Sequence, residues 1–176
     1  MASPIGHPAF RAATYVPWVP VFRWVGIAAS ALALGTLFAT PPDAPVKKTD
    51  AFLTAETTGL LSIEATECFD DPEYDPMADD RVVVYIPCEE GADNQAYGFV
   101  YAPEGTFDRT AVATFAAARC GQAFDKLWRG ASAEGLDFYP VLPTAETWAD
   151  GDRVAMCVVY RPTGRLPGSV LPLAGR

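Results

Sequence analysis

The run Trp24–Thr40, WVGIAASALALGTLFAT, holds seventeen residues without a charge. At about 1.5 Å per residue, a helix of that length crosses most of a hydrocarbon core about 30 Å thick. A span there puts everything after it on the far side of a bilayer, in an oxidising compartment. It leaves the residues from 43 onward for whatever folds outside. That is enough for one small domain that buries roughly two thirds of its unfolded surface.

Two fates compete for the run. One is an uncleaved signal anchor. The other is a cleaved signal peptide, because Leu37-Phe38-Ala39-Thr40 ends in small residues. The apolar part of a cleaved signal is usually about 7–15 residues long, and both this run and the leader before it are longer. The anchor is therefore the reading adopted, with residues 1–22 cytoplasmic and 23–40 spanning the cell membrane once. Pro4, Pro8, Pro17 and Pro20 exclude a regular helix before Val21. Arg11 and Arg23 ahead of the run are matched by Lys47 and Lys48 behind it, so basic residues do not orient it; the cysteines do. Trp18 and Trp24 suit an aromatic belt at the cytoplasmic interface. Thr40–Asp50, TPPDAPVKKTD, reads as a Pro-rich extended stalk, and residues 41–59 as the linker.

Arg11 and Arg23 are the only charged residues among the first 42. The rest of the chain holds the other eleven basic side chains and all 22 acidic ones. So acidic a domain repels nucleic acid, which is excluded as a partner. Cys68, Cys88, Cys120 and Cys157 all follow the apolar run. An even count outside the cytoplasm favours two disulfides. A zinc site lacks both a C-x2-C pair and a histidine, since the one histidine is His7. No metal and no cofactor is expected.

The outer domain reads as alternating strands and turns around one helix. Ala51–Leu61 is amphipathic or extended. Ser62–Phe69 alternates as a strand does. Residues 70–80, DDPEYDPMADD, read as an acidic loop. Calcium is the sharp alternative there, but the glycine and spacing of an EF-hand are absent. Arg81–Pro87, RVVVYIP, reads as a central strand, with Ala96–Tyr101 antiparallel to it. Asp108–Arg129 is the clear helix, capped by Asp108 and closed by Gly130, with Val112, Phe115, Ala116, Cys120, Ala123, Phe124 and Leu127 on one face. An extended segment follows at 135–142. Thr144 then caps a single helical turn, Gly151 sits in a tight turn, and Val154–Tyr160 is a buried strand. The tail from Ser169 can finish a sheet edge. Four cysteines allow three connectivities. The order of elements favours Cys68–Cys88 between neighbouring strands and Cys120–Cys157 between the helix and the sheet. The fold class is α+β: a small antiparallel sheet of four or five strands packed on one main helix, with two disulfides, behind an N-terminal transmembrane helix.

Pro143-Thr144, Trp148, Gly151-Asp152-Arg153, Cys157, Thr163-Gly164 and Gly168-Ser169 follow one another in an order that resembles the septum-formation domain of actinobacterial membrane-anchored envelope proteins. Cys68-Phe69, Tyr85-Ile86-Pro87-Cys88 and the helical Cys120 also fit that pattern. The resemblance spans about residues 60–172. Relatives often carry a Pro-His-Asp stretch after the second cysteine, where this chain reads Glu89-Glu90-Gly91-Ala92-Asp93; no role for that histidine carries over. The resemblance implies a single-pass, extracytoplasmic module with a link to cell division. It supplies no catalytic residues.

The residues themselves offer little chemistry. Ser62, Ser132 or Ser169 beside Lys126 is an unmotivated dyad. Asp150 with Asp152, or Glu134 with Asp137, would serve a carboxylate-based hydrolase. Asp152 more simply caps its turn while Arg153 packs along Trp148. Tyr97, Phe99, Tyr101, Phe138, Tyr139 and Trp148 are either core or an exposed patch for a partner. The leading expectation is a non-enzymatic module that binds an envelope or divisome protein at the septum. A binding domain for a cell-wall fragment or small ligand is the alternative, and the hydrolase stands third. Fractionation of cells that express the chain tests the anchor. Full-length protein in the membrane is expected, and a mature N-terminus near Pro41 would show cleavage instead.

Overall fold

The computed structural model describes residues 44–172. The expected cytoplasmic segment 1–22 and span 23–40 lie outside the described residues. Among the described residues, no helix is long and apolar enough to cross a membrane.

Strand β7, Val154–Tyr160, is the middle of the fold. Every residue after Val154 is buried, as a continuous apolar run requires of a strand covered on both faces. Strands β5, Asn94–Tyr101, and β6, Asp137–Val141, flank it. Strand β1, Cys68–Phe69, lies outside β5, and strand β4, Tyr85–Ile86, lies outside β1. Every pairing in this five-stranded sheet is antiparallel. Strands β2, Glu73–Asp75, and β3, Asp80–Val82, form a separate hairpin.

Helix α1, Arg109–Leu127, covers one face of the sheet. The Asp108 side chain accepts from the amides of Thr110 and Ala111 and so satisfies two donors that the first turn leaves unpaired. Val112, Ala116, Cys120 and Phe124, four residues apart, turn one stripe inward. Phe124 and Trp128 each meet Tyr97 edge to face and lie tilted against one another. The Cys120–Cys157 disulfide, with its Cα atoms 5.3 Å apart, fastens the helix to β7. The Cys68–Cys88 disulfide joins β1 to the turn after β4. The opposite face of the sheet presents Tyr139, Val141, Met156, Val158 and Tyr160, and is covered by Phe52, Leu53, Leu60 and Ile63.

That second layer corrects the expected linker. Residues 44–59 are not a free spacer, because they pack on the sheet. Leu53 and Ala55 are buried, the Val46 amide donates to Pro162 O, and the Ala55 amide donates to Leu142 O. A Cβ on Gly59, whose φ is +85°, would run into Val83 O, so only glycine lets the next turn close against the sheet.

Three strand expectations also change. Ser62–Phe69 forms a strand only at Cys68–Phe69, because a 3-10 turn at Leu60–Ser62 and a turn closed by the Glu67 amide on Glu64 O come before it. The RVVVYIP run is split between β3 and β4 and lies at the rim; Val83 is buried but Val84 and Tyr85 are exposed. An apolar run identifies a strand without saying how many neighbours it has. Accordingly β5 pairs with β1 and β7 rather than with β4. The acidic loop 70–80 is largely the β2–β3 hairpin, with Asp79 at φ +51° in its turn. Helix α1 ends at Leu127 with Trp128 as cap, and Gly130 opens the next short turn. Residues 169 and 170 form no strand; they are held by the Gln95 side chain and by Trp128.

Removing the Cys120–Cys157 tie by the double substitution Cys120→Ala/Cys157→Ala should lower stability by about 2–4 kcal/mol. Denaturant unfolding measures it. A loss below about 1 kcal/mol would show that packing alone holds α1 in place.

Candidate functional site

The surface with the clearest capacity to bind is the outer edge of β5. Strand β1 covers only its first two residues, Asn94 and Gln95, and the Glu67–Ala96 bond extends this by one. From Gly98 to Tyr101 the edge has no strand partner among the described residues. The Ala102 amide donates to Arg153 O at 2.8 Å. The alternation of an antiparallel ladder therefore turns Gly98 and Val100 toward β7, and the amides and carbonyls of Phe99 and Tyr101 outward. A bulge between Ala96 and Gly98 resets this alternation. It also places Ala96 and Phe99 on the same face, away from α1.

Beside that edge lies an apolar cleft of about 260 Å³. Phe99, Met156 and Val141, paired across β5, β7 and β6, form its floor, and Leu60, Leu61 and Ile63 form a wall. Leu61 is 78% exposed and Tyr101 73%, which leaves large apolar side chains in water at the rim. Of the aromatics with two readings, Tyr97, Tyr139 and Trp148 are buried and Phe138 packs against α1. Only Phe99 and Tyr101 belong to the exposed patch.

The motif Pro143, Thr144, Trp148, Gly151, Asp152, Arg153 braces the connection from β6 to β7. Thr144 caps helix α2, Ala145–Ala149, in a reciprocal pair with Thr147, and its hydroxyl donates to Glu56. Trp148 is buried, and its indole N–H donates to Gly105 O. The Arg153 guanidinium sits 4.0 Å from the Trp148 ring centre, donates to Trp148 O, and pairs with Glu104. Gly151 has φ +96°. Asp152 Oδ1 accepts from the Val154 amide, and the residue also lines the apolar cleft.

At the other end of the sheet lies a polar cluster that sequence reading missed. Lys48 is 6% exposed. Its Nζ meets Asp71 Oδ1 at 2.5 Å and Asn94 Oδ1 at 2.9 Å, and lies over the rings of Phe52 and Tyr160. Tyr139 donates to Asn94 Oδ1, and Tyr160 accepts from the Lys48 amide while donating to Asp137. Arg165 pairs with Asp70 and Asp93 alongside. Lys48 stands in a Pro-rich charged stretch and Asn94 beside a turn, so neither carries a local signal of burial.

The remaining candidates are scattered. Asp70, Asp71, Asp75, Asp79 and Asp80 each accept from a different donor. Among the described residues, no group of three or more acidic, histidine or cysteine side chains is arranged to hold a metal. Asp150 caps α2, Glu134 lines a separate cleft with Trp128 and Arg161, and Asp137 serves Tyr160. Ser62 donates to Gly59 O, and Ser169 accepts from Gln95. No family model, curated protein or solved structure matches the chain.

Burial pushes the phenols of Tyr97 and Tyr139 well above the ordinary tyrosine value, with nearby Asp125 adding to the first and Asp71 to the second. The folded state thus keeps protons that the unfolded chain releases near pH 10, so stability is complete below that pH and falls above it. Each such tyrosine contributes a loss of about 1.4 kcal/mol per pH unit. Denaturant midpoints between pH 8 and 11.5 should show this fall, and Tyr139→Phe should make it shallower. An unchanged slope in the variant would contradict the assignment.

Proposed function

We propose that the domain is a non-enzymatic binding module of the cell envelope, tethered outside the cytoplasm, which takes up an extended segment of a partner protein as an added strand on β5. The observation that carries this reading is the unpaired edge at Phe99 and Tyr101 beside the apolar cleft. An added strand would satisfy the outward amides and carbonyls, and its alternate side chains would fall into the cleft. Glu64 and Glu67 near one end of the edge favour a partner segment with a basic residue there. The two disulfides favour an oxidising compartment. The resemblance to the septum-formation domain supplies the partner class, an envelope or divisome protein, and the place, the division septum.

An N-terminal fluorescent tag and a photo-reactive residue at position 101 test the reading in dividing cells of the source organism. Septal enrichment is expected, with cross-links from position 101 to one envelope protein and none from position 119 on the exposed side of α1. Phe99→Asp/Tyr101→Asp should abolish both while leaving the disulfides intact, a loss of roughly tenfold or more in affinity. Uniform membrane signal would remove the septal assignment. Equal cross-linking from both positions would remove the edge.

A further inference from the structure

Four elements converge on Lys48 in an arrangement that has chemistry of its own. Its side chain is 4% exposed, and Asn94 is fully buried. Asp71 Oδ1 touches both reacting partners: Lys48 Nζ at 2.5 Å and Asn94 Nδ2 at 2.7 Å. Tyr139 OH donates to Asn94 Oδ1 at 2.9 Å, the oxygen that also faces Nζ. The rings of Phe52 and Tyr160 lie 4.9 Å and 5.3 Å from Nζ and shield it from water.

An amine, a carboxamide, a carboxylate in contact with both, and a hydroxyl on the carboxamide oxygen form the complete set for amide exchange. The amine must shed a proton before it is nucleophilic. The carboxamide carbon must be polarised, and the departing nitrogen must receive a proton. Fixed proximity raises the rate of such a step by orders of magnitude over free solution. We propose that Lys48 and Asn94 become joined by an amide bond between Nζ and Cγ, with Asp71 as the proton carrier and Tyr139 as the donor to the carbonyl oxygen.

The steps balance without any outside reagent. Lys48 gives a proton to Asp71 and attacks Asn94 Cγ with its lone pair, which forms the Nζ–Cγ bond and places negative charge on Oδ1. Tyr139 stabilises that charge by its hydrogen bond. Asp71 delivers its proton to Nδ2 and takes the surplus proton from Nζ. The Cγ–Nδ2 bond then breaks, ammonia leaves and accepts the remaining proton as ammonium, and Asp71 returns to carboxylate. Asp71 is partly exposed, so ammonium can escape to solvent there, and its dilution draws the exchange to completion. The phenol of Tyr139 keeps its proton throughout, since burial and the neighbouring Asp71 both oppose its ionisation.

The bond would tie the leading segment to β5 across 46 residues of sequence. It stands where the chain enters the fold. A pull applied at residue 43 would then be borne at Lys48 and passed to the sheet, and would not peel residues 49–63 from its face. This holds whatever the domain binds.

Mass spectrometry of the purified full chain, reduced, alkylated and digested with trypsin, decides the matter. The expected product is a branched peptide, Lys48–Arg81 joined to Val82–Arg109 and lighter than the two parts by one ammonia, with fragment ions that place the junction at Lys48 and Asn94. Asp71→Asn should give two separate peptides in a chain that still holds both disulfides. Mild acid offers a second reading, because it cleaves at Asp71-Pro72 and Asp75-Pro76, between the joined residues. In the reduced wild-type chain the two large fragments, ending at Asp71 and beginning at Pro76, should then stay covalently joined, with only Pro72–Asp75 released. Complete tryptic cleavage after Lys48, with an unmodified Asn94 peptide, would overturn the proposal. So would a linkage to Asp71 with loss of water, or a branched peptide that persists in Asp71→Asn.

Discussion

A buried lysine side chain, charged while the chain folds around it, is the constraint on which the arrangement of this domain rests. An unpaired charge in an apolar interior costs several kcal/mol, so the surroundings of Lys48 must supply acceptors with good geometry. They come from separate parts of the chain. Asp71 follows β1, Asn94 heads β5, Tyr139 lies in β6 and Tyr160 ends β7. No buried side-chain polar atom among the described residues is left without a partner. Meeting that requirement fixes the ends of three strands relative to one another and brings residues 48–63 across the sheet. Phe52, Leu53, Leu60 and Ile63 then seal the face that α1 leaves open.

The two ends of the sheet are built for different tasks. At the Lys48 end every strand is fastened: by ion pairs, by the Cys68–Cys88 bridge, and by Arg165 across Asp70 and Asp93. At the other end β5 runs on for several residues without an outer neighbour among the described residues, and large apolar side chains stay in water. Proteins usually blunt such an edge with a charge, a proline or a bulge. The bulge here lies before the exposed stretch, and the side chains that face solvent are Phe99 and Tyr101. An edge left open on a rigid frame fits the capture of a strand, since the frame need not be ordered when the partner arrives.

Much of the fold was legible in the sequence, and for identifiable reasons. Helix α1 shows in the spacing of Val112, Ala116, Cys120 and Phe124 behind Asp108, and β7 in an apolar run of strand length. The disulfide pairing follows once Cys120 is on the inward stripe and Cys157 on the strand beneath it. Thr144, Gly151 and Arg153 signal a capped turn through local chemistry alone. The failures share one cause, since they concern residues whose environment is made by distant parts of the chain. The RVVVYIP run gives no sign that β4 lies at the rim. Residues 44–59 read as a linker because their apolar positions are few, and their burial depends on a sheet formed a hundred residues later. Lys48, Asp71 and Asn94 are ordinary polar residues in turn-rich stretches until the fold unites them. The open edge was invisible for the same reason, because the sequence marks a strand but not which of its sides is paired.

Residue-resolved hydrogen exchange on the native protein tests most directly the contrast between a fastened frame and an open edge. The amides of Phe99 and Tyr101 should exchange at nearly the rate of an unstructured chain. Those of Gly98 and Val100, which face β7, and that of Lys48, held by Tyr160, should exchange only with global unfolding. Strong protection at Phe99 and Tyr101 would mean that another part of the chain already covers β5, and the strand-capture reading would fail. Rapid exchange at Lys48 would mean that the leading segment is not bound to the sheet, and the buried Lys48 side chain would lose its place as the organising constraint.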